Sequence, residues 1–262
     1  LIFQPAEETV GGARMLIEEG VLDNPKVAAI FGLHVDPGRP LGTFGLHYGQ
    51  RKASSDNLHI VVHGRAGQGA YPASPDDANV AAAQVITAIQ TVVSRNVDAR
   101  DSAVVSFGII RGGTQGNILA DRVELTGTVR TLDPHIRKLV LQRIRETAEG
   151  VATALGGSAE VRIEPSYDPL INDNSMVEIV RANALDLSGE DRVEVFPKPN
   201  MGVEDFGYYV SHVPGAFFSI GVRNEDKGIV NPVHHVLFDA DEEALAYGAA
   251  IQILNALSIL NG

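Results

Sequence analysis

Residues 1–20, LIFQPAEETVGGARMLIEEG, with VAAIFGL at 27–33, decide the fold. Leu1–Phe3 and Val27–Leu33 are apolar runs of strand length. Between them a helical pattern from about Gly11 to Glu19 stops at Gly20, a residue that takes the left-handed conformation past a helix C-terminus without steric penalty. Strand, helix, strand predicts a parallel sheet. After the first apolar run, Glu7 and Glu8 stand side by side. Two carboxylates that close raise one pKa sharply unless a cation is present, and a metal ion removes the cost. The alternative is a solvated acidic pair opening a helix, where the dipole favours carboxylates.

Further along, the pattern changes. Leu58–Val62, Val104–Ile110, Val123–Thr131 and Ala159–Ile163 read as strands. Pro75–Ser94 reads as a helix with Ala78, Ala82, Val85, Ile89 and Val92 on one face. Pro134–Leu155 reads as a second, with Asp133 at the N-cap, Pro134 in the first turn and Ile136, Val140, Ile144 and Val151 inward. Strand, helix, strand, strand, helix, strand is the split-βαβ, ferredoxin-like order. From about Tyr167 helices and strands alternate again: a helix around Met176–Leu187, a strand at Ala216–Val222 and a final helix over Asp241–Leu260. The expected organisation is a discontinuous α/β domain over 1–51 and 165–262, with a ferredoxin-like α+β domain over 52–164 inserted.

Composition narrows the function. The 262 residues are 44% hydrophobic and 21% charged, ordinary globular proportions, and 262 residues suffice for two modest cores. A net charge of -12 and a pI near 5.0 speak against nucleic acid, whose phosphates the chain would repel, and leave no basic patch for anionic lipid. No stretch reads as the ~20 consecutive apolar residues that span a bilayer, and no signal-peptide pattern opens the chain, so a soluble, cytoplasmic protein is expected. Cysteine is absent, so metal ligands must be His, Asp or Glu.

His34 closes an apolar strand, and ligands bind at strand C-termini in open α/β sheets. A lone histidine there is more often structural; Glu8 at the end of a neighbouring strand makes it a candidate ligand. His234 and His235 are adjacent, so on extended backbone they point apart and one at most coordinates. Glu204 and Asp205 form a second acidic pair, in MGVEDFG. The histidines at 47, 59, 63, 135 and 212 have no metal-like spacing and read as surface or satisfied core.

The motifs FQPAEE (3–8), GGARMLIEEG (11–20), FGLHV (31–35), ASSD (53–56), GRAGQGAYP (64–72), RGGTQGNILAD (111–121), GTVRTLD (127–133), MGVEDFGYY (201–209), PGAFFSIG (214–221) and HHVLFD (234–239) stand in one order along the chain. In that order the chain resembles the dinuclear-metal amidohydrolases of the aminoacylase and carboxypeptidase superfamily, in the branch of hippurate hydrolase, indoleacetyl-amino-acid hydrolase and N-acyl-amino-acid amidohydrolases. The resemblance implies a metallohydrolase-type catalytic domain and an inserted lid and dimerisation domain, hence a homodimer. It implies Zn or Mn as cofactor and an N-acyl amino acid or small peptide as substrate. Glu7 would be the general base, and Glu8, His34 and His234 the metal ligands, with Glu204 and His235 supporting them. Gln68, Asn117 and Arg130 would bind substrate. Asn and Arg suit a developing oxyanion or a carboxylate; Gln68 stands where the family has His and cannot carry charge. The family's upstream HxCGHD run does not occur in this sequence, so a shortened chain with an incomplete dinuclear site and little activity alone is expected. The competing reading is a non-catalytic binding or dimerisation module that keeps the fold.

Overall fold

The computed structural model describes residues 1–9, 11–73 and 76–261. In chain order the elements are α1 (Gly12–Glu18), β1 (Ile30–Pro40), β2 (Phe44–Leu46), β3 (Gly49–Lys52), β4 (Asp56–His63), β5 (Gly67–Gln68), α2 (Ala78–Thr91) and β6 (Ala103–Gly112). They continue with β7 (Ile118–Leu119), β8 (Arg122–Thr131), α3 (Pro134–Ala154), β9 (Ser158–Pro165), β10 (Leu170–Asn172), α4 (Asn174–Ser188) and β11 (Val193–Val195). The last are α5 (Phe206–Val210), β12 (Gly215–Arg223) and α6 (Ala244–Asn261). Two compact units result: 1–52 with 170–200 and 204–262, and 53–169 with 201–203.

The first unit is built on a sheet of order β1-β12-β2-β11. β1 runs parallel to β12, whose residues Gly215–Val222 are all buried. Such a continuous apolar strand is what burial on both sheet faces requires. One face of β12 presents Phe218, Ile220 and Val222 to Val177, Val180 and Ala184 of α4 and to Ile251 of α6. The other presents Phe217 to Phe206 and Tyr209 of α5 and to Ala13 of α1. The sheet is not wholly parallel as expected, because β2 is antiparallel to β12. Only Leu41–Thr43 join β1 to β2, and so short a link cannot return the chain in parallel.

The expected strand at Leu1–Phe3 does not form: Leu1 and Phe3 are exposed and no strand pairs with them among the described residues. α1 ends at Glu18, with Glu19 as its C-cap, and Gly20 follows at φ 84° while its N–H donates to the Ile17 carbonyl. α6 is long and apolar enough to cross a membrane by length and composition, where the sequence pattern suggested no such stretch. It packs Ile251 into the core and buries Asn255, whose Oδ1 accepts from Asn183 Nδ2 of α4 at 2.9 Å.

The second unit runs β4-α2-β6-β8-α3-β9, with sheet order β6-β8-β4-β9 and every neighbouring pair antiparallel. On β4, Leu58, Ile60 and Val62 face a core shared with Val85 and Ile89 of α2 and Val140 and Ile144 of α3. Asp77 caps α2 by accepting from the Asn79 N–H, and Asp133 caps α3 through the His135 and Ile136 N–H groups. The helix expected from Pro75 thus starts at Ala78, and Pro75 itself lies outside the described residues.

Candidate metal centre

Ala6 has φ 63°, the left-handed region that an alanine seldom occupies, and its carbonyl accepts from the Gly11 N–H at 3.1 Å. That turn carries FQPAEE back against the start of α1. Gly12 permits the approach: a Cβ there would lie 1.9 Å from the Pro5 carbonyl oxygen. The N-cap of α1 is Gly11, with no side chain to satisfy the first N–H groups, and Asp205 supplies the acceptor instead. Asp205 Oδ2 takes the Ala13 N–H at 3.0 Å and Gln4 Nε2 at 2.7 Å. One buried carboxylate therefore ties residues 4, 13 and 205 together. Glu204 is also buried, just ahead of α5, and α5 is seated by Phe206, whose ring fills the space left by Gly32 on β1.

The outcome is a convergence of acids. Glu7, Glu204 and Asp205 each bring a carboxylate oxygen to within 4.8 Å of the others. Burial, and then the nearby Glu7, push the Glu204 carboxyl up to about 7, against the opposing pull of Lys52. Burial also raises Glu7, followed by Asp205 and Glu8, while Lys52 and His34 oppose it. Lys52 Nζ lies 3.9 Å from Glu204 Oε2. On the same strand the Arg51 guanidinium is buried, sits 5.2 Å over the Phe217 ring and is lowered to about 10 by that burial.

Three hard oxygen donors this close match the donor set of a divalent cation, which would offset the burial, and after it the repulsion, that raise Glu7 and Glu204. Glu204 and Asp205 would hold such an ion, with Glu7 beside it.

The expected site residues are distributed unevenly. Glu7 and Glu204 lie in the cluster. Glu8 is exposed beside it, its charge reaching Glu7. His34 pairs in register with Ser219 of β12; its Nδ1 lies 2.7 Å from the Val35 carbonyl oxygen, and its ring meets Phe217 edge-on. His234 and His235 are both exposed, His234 at φ 63° and His235 accepting the Leu237 N–H at Nδ1.

In the second unit, Gln68 on β5 faces Ile118 on β7, and the Gly69 N–H donates to the Asn117 carbonyl at 2.8 Å, so Gln68 and Asn117 flank one small ribbon. Arg130 lies apart on β8, donating to Ser55 Oγ at 2.7 Å, to the Val129 carbonyl and to Thr128 Oγ1. Lys52 was not among the expected residues, and Asp205 was expected only as half of the second acidic pair with Glu204. The signals for them were the second acidic pair and two consecutive cations in GQRK at 49–52.

The model for peptidase family M20/M25/M40 matches residues 1–255. N-acetylcysteine deacetylase of Bacillus subtilis is 38% identical over 244 residues, 93% of this chain and 62% of that protein. N-acetyldiaminopimelate deacetylase of Shouchella clausii is 38% identical over 221 residues, 84% of this chain and 59% of that protein. A crystal structure from Bacillus subtilis, described as a dinuclear metal binding peptidase of the M20 family, superposes with a TM-score of 0.82 at 33% identity, over 99% of this chain and 64% of that one. The chain thus spans about three-fifths of the length of these relatives.

Proposed function

Since the chain belongs to peptidase family M20/M25/M40, we propose that it carries out metal-dependent hydrolysis of the amide bond of N-acyl amino acids or small peptides. The observation that carries this reading is the convergence of Glu7, Glu204 and Asp205, beside His34. Two relatives named as deacetylases of N-acetylated amino acids support the substrate class. Manganese suits a carboxylate-rich site better than zinc, which favours nitrogen and sulfur donors; His34, a nearby imidazole, suits either. When bound, the cation would supply a Lewis acid for the scissile carbonyl.

The chain's own residues do the rest. Glu7, standing beside the ion rather than among its ligands, takes a proton from the attacking water and delivers it to the leaving amine. Gln4 and the α1 N-terminus fix Asp205, and Asp205 fixes the opening turn on which Glu7 stands. By the family resemblance, Glu8, His34 and His234 are further ligands, with His235 beside them. Gln68, Asn117 and Arg130 are proposed as donors to the acyl oxygen and the substrate carboxylate. With its strand order, the second unit is proposed as a ferredoxin-like lid and dimerisation module, and the protein as a homodimer.

Purified protein supplied with Mn2+ and a panel of N-acetyl and N-benzoyl amino acids is expected to release free amino acid above the metal-free background, at the low rate expected of this chain alone. A chelator should stop the release, and Glu7→Gln should cut it by about 100-fold or more, as loss of a general base does. Release that persists in Glu7→Gln, or none from any substrate with Mn2+ or Zn2+, contradicts the proposal.

A further inference from the structure

Arg51 lies on β3 with only 5% of its surface exposed. Its guanidinium makes no hydrogen bond and no ion pair among the described residues, and Nε is sealed from solvent without a partner. The acids whose charge reaches it are engaged elsewhere: Glu204 with Lys52 and the Phe206 N–H, Asp36 with Arg39 and the Gly38 N–H. The other shielded arginines are different. Arg130 donates to Ser55, Thr128 and Val129, and Arg137 to Asp56 and Asp168.

What supports the Arg51 charge is the Phe217 ring, 5.2 Å from the guanidinium. A ring face recovers part of the lost hydration but leaves the N–H donors along the planar edge unpaired. A buried charge with no partner is costly, so a fold that keeps one points to an anion that completes it. The place is beside the candidate metal centre, since the same Phe217 ring meets His34 edge-on at 6.3 Å, and Glu204 couples to Arg51 as it does to Lys52. Lys52, however, already has the Glu204 carboxylate 3.9 Å from its Nζ. With a net charge of -12, the chain does not draw anions in by its general field, and a bound anion needs a local cation. The guanidinium fork matches the two oxygens of a carboxylate.

We propose that Arg51 is a specificity-determining residue that receives a carboxylate of the substrate, so that free acids are taken in preference to amides. The inference rests on the N-acyl amino acid reading and names the group of the substrate that the first unit holds. That group is the α-carboxylate or a carboxylate on an acidic side chain.

The test is a calorimetric titration, in Mn2+ and in chelator, of wild type, Arg51→Met, which keeps an apolar stem without the charge, and Arg51→Lys, which keeps the charge without the fork. The ligands are N-acetylglycine, with an α-carboxylate only, N-acetylisoglutamine, with a side-chain carboxylate only, and N-acetylglycinamide, with neither. Wild type is expected to bind one of the two acids about tenfold or more tightly than the amide, and the tighter acid identifies the source of the carboxylate. Arg51→Met should lose that preference and keep its affinity for the amide. Without ligand it should melt at or above wild type, because an unpaired buried charge is gone. Arg51→Lys should keep the preference with affinity for the acid lowered about threefold or more, since an ammonium lacks the bidentate fork. A preference for the acid that survives in Arg51→Met overturns the proposal. If Arg51→Met does not fold, Arg51→Lys decides, and undiminished affinity for the acid in that variant overturns it. Absence of any acid preference in wild type also overturns it, while Mn2+-dependent release of free amino acid, measured alongside, judges the hydrolase reading separately.

Discussion

Gly12 shows how narrowly the site is set at the scale of single residues. A methyl group there would meet the Pro5 carbonyl at 1.9 Å, so the opening turn would have to move and Glu7 with it. Gly12→Ala should cost about 1–3 kcal/mol of stability, the usual range for overpacking, and weaken Mn2+ binding as well. Denaturant midpoints and a metal titration measure both, and unchanged values in both would contradict the packing argument. His47 gives a pH prediction away from the acids. It is nearly fully buried with its ring 4.9 Å from that of Phe196, and burial, then Arg51 and Arg39, push its pKa from 6.5 down to about 4. The folded state therefore favours neutral His47, so this contribution is complete above the unfolded pKa and is lost as pH falls through 6.5 toward 4. Between pH 7 and pH 5 the loss should be on the order of 2 kcal/mol, and His47→Phe should show that much less pH dependence in its urea midpoint. An identical acid limb in wild type and His47→Phe would contradict it. At this scale the sequence made Glu7 legible through the acidic pair. Asp205 showed only as half of a second acidic pair and Lys52 stayed hidden, because each acquires its role from a partner far along the chain, and a charged residue in a strand ordinarily reads as solvated.

Helices were more readable than strands at the scale of elements, and for a physical reason. Asp133 with Pro134 is a local start signal whose hydrogen bonds are made within three residues, and Asp173 caps α4 in the same way in the structure. β2, β3, β10 and β11 are three or four residues long, too short for a period-two pattern to emerge. Leu1–Phe3 has strand composition but no neighbour to pair with among the described residues. The ASSD motif carries an element-scale determinant as well. Asp56 on β4 is fully buried and receives Nε and Nη2 of Arg137 from α3 at 2.9 and 2.7 Å, while Nη1 reaches Asp168 at 2.8 Å. Removing the arginine leaves a buried, unpaired carboxylate, so Arg137→Leu should destabilise the protein by roughly 3–5 kcal/mol. A chemical denaturation curve within about 1 kcal/mol of wild type would mean the pair is not a structural tie, since that is the scale of an ordinary exposed ion pair.

For the molecule as a whole, the chain divides into two compact units, each with its own core. What the sequence could not supply was the reversal of β2 within the first sheet, fixed by a three-residue link rather than by any hydrophobic period. β6 forms one edge of the second sheet, with Ile109 and Ile110 exposed. Proteins usually pair or cover such an edge. The proposed homodimer predicts a light-scattering mass near twice 27.9 kDa, falling toward one chain in Ile110→Lys. A single-chain mass for wild type at micromolar concentration would contradict it. The central claim, that Glu204 and Asp205 hold a divalent cation with Glu7 beside it, is tested most directly by titrating metal-free wild type, Glu204→Gln and Asp205→Asn with Mn2+. Saturable binding by wild type, weakened about 10–100-fold or more in each variant, is the predicted result. Equal affinity in all three proteins, or none in wild type, would contradict it.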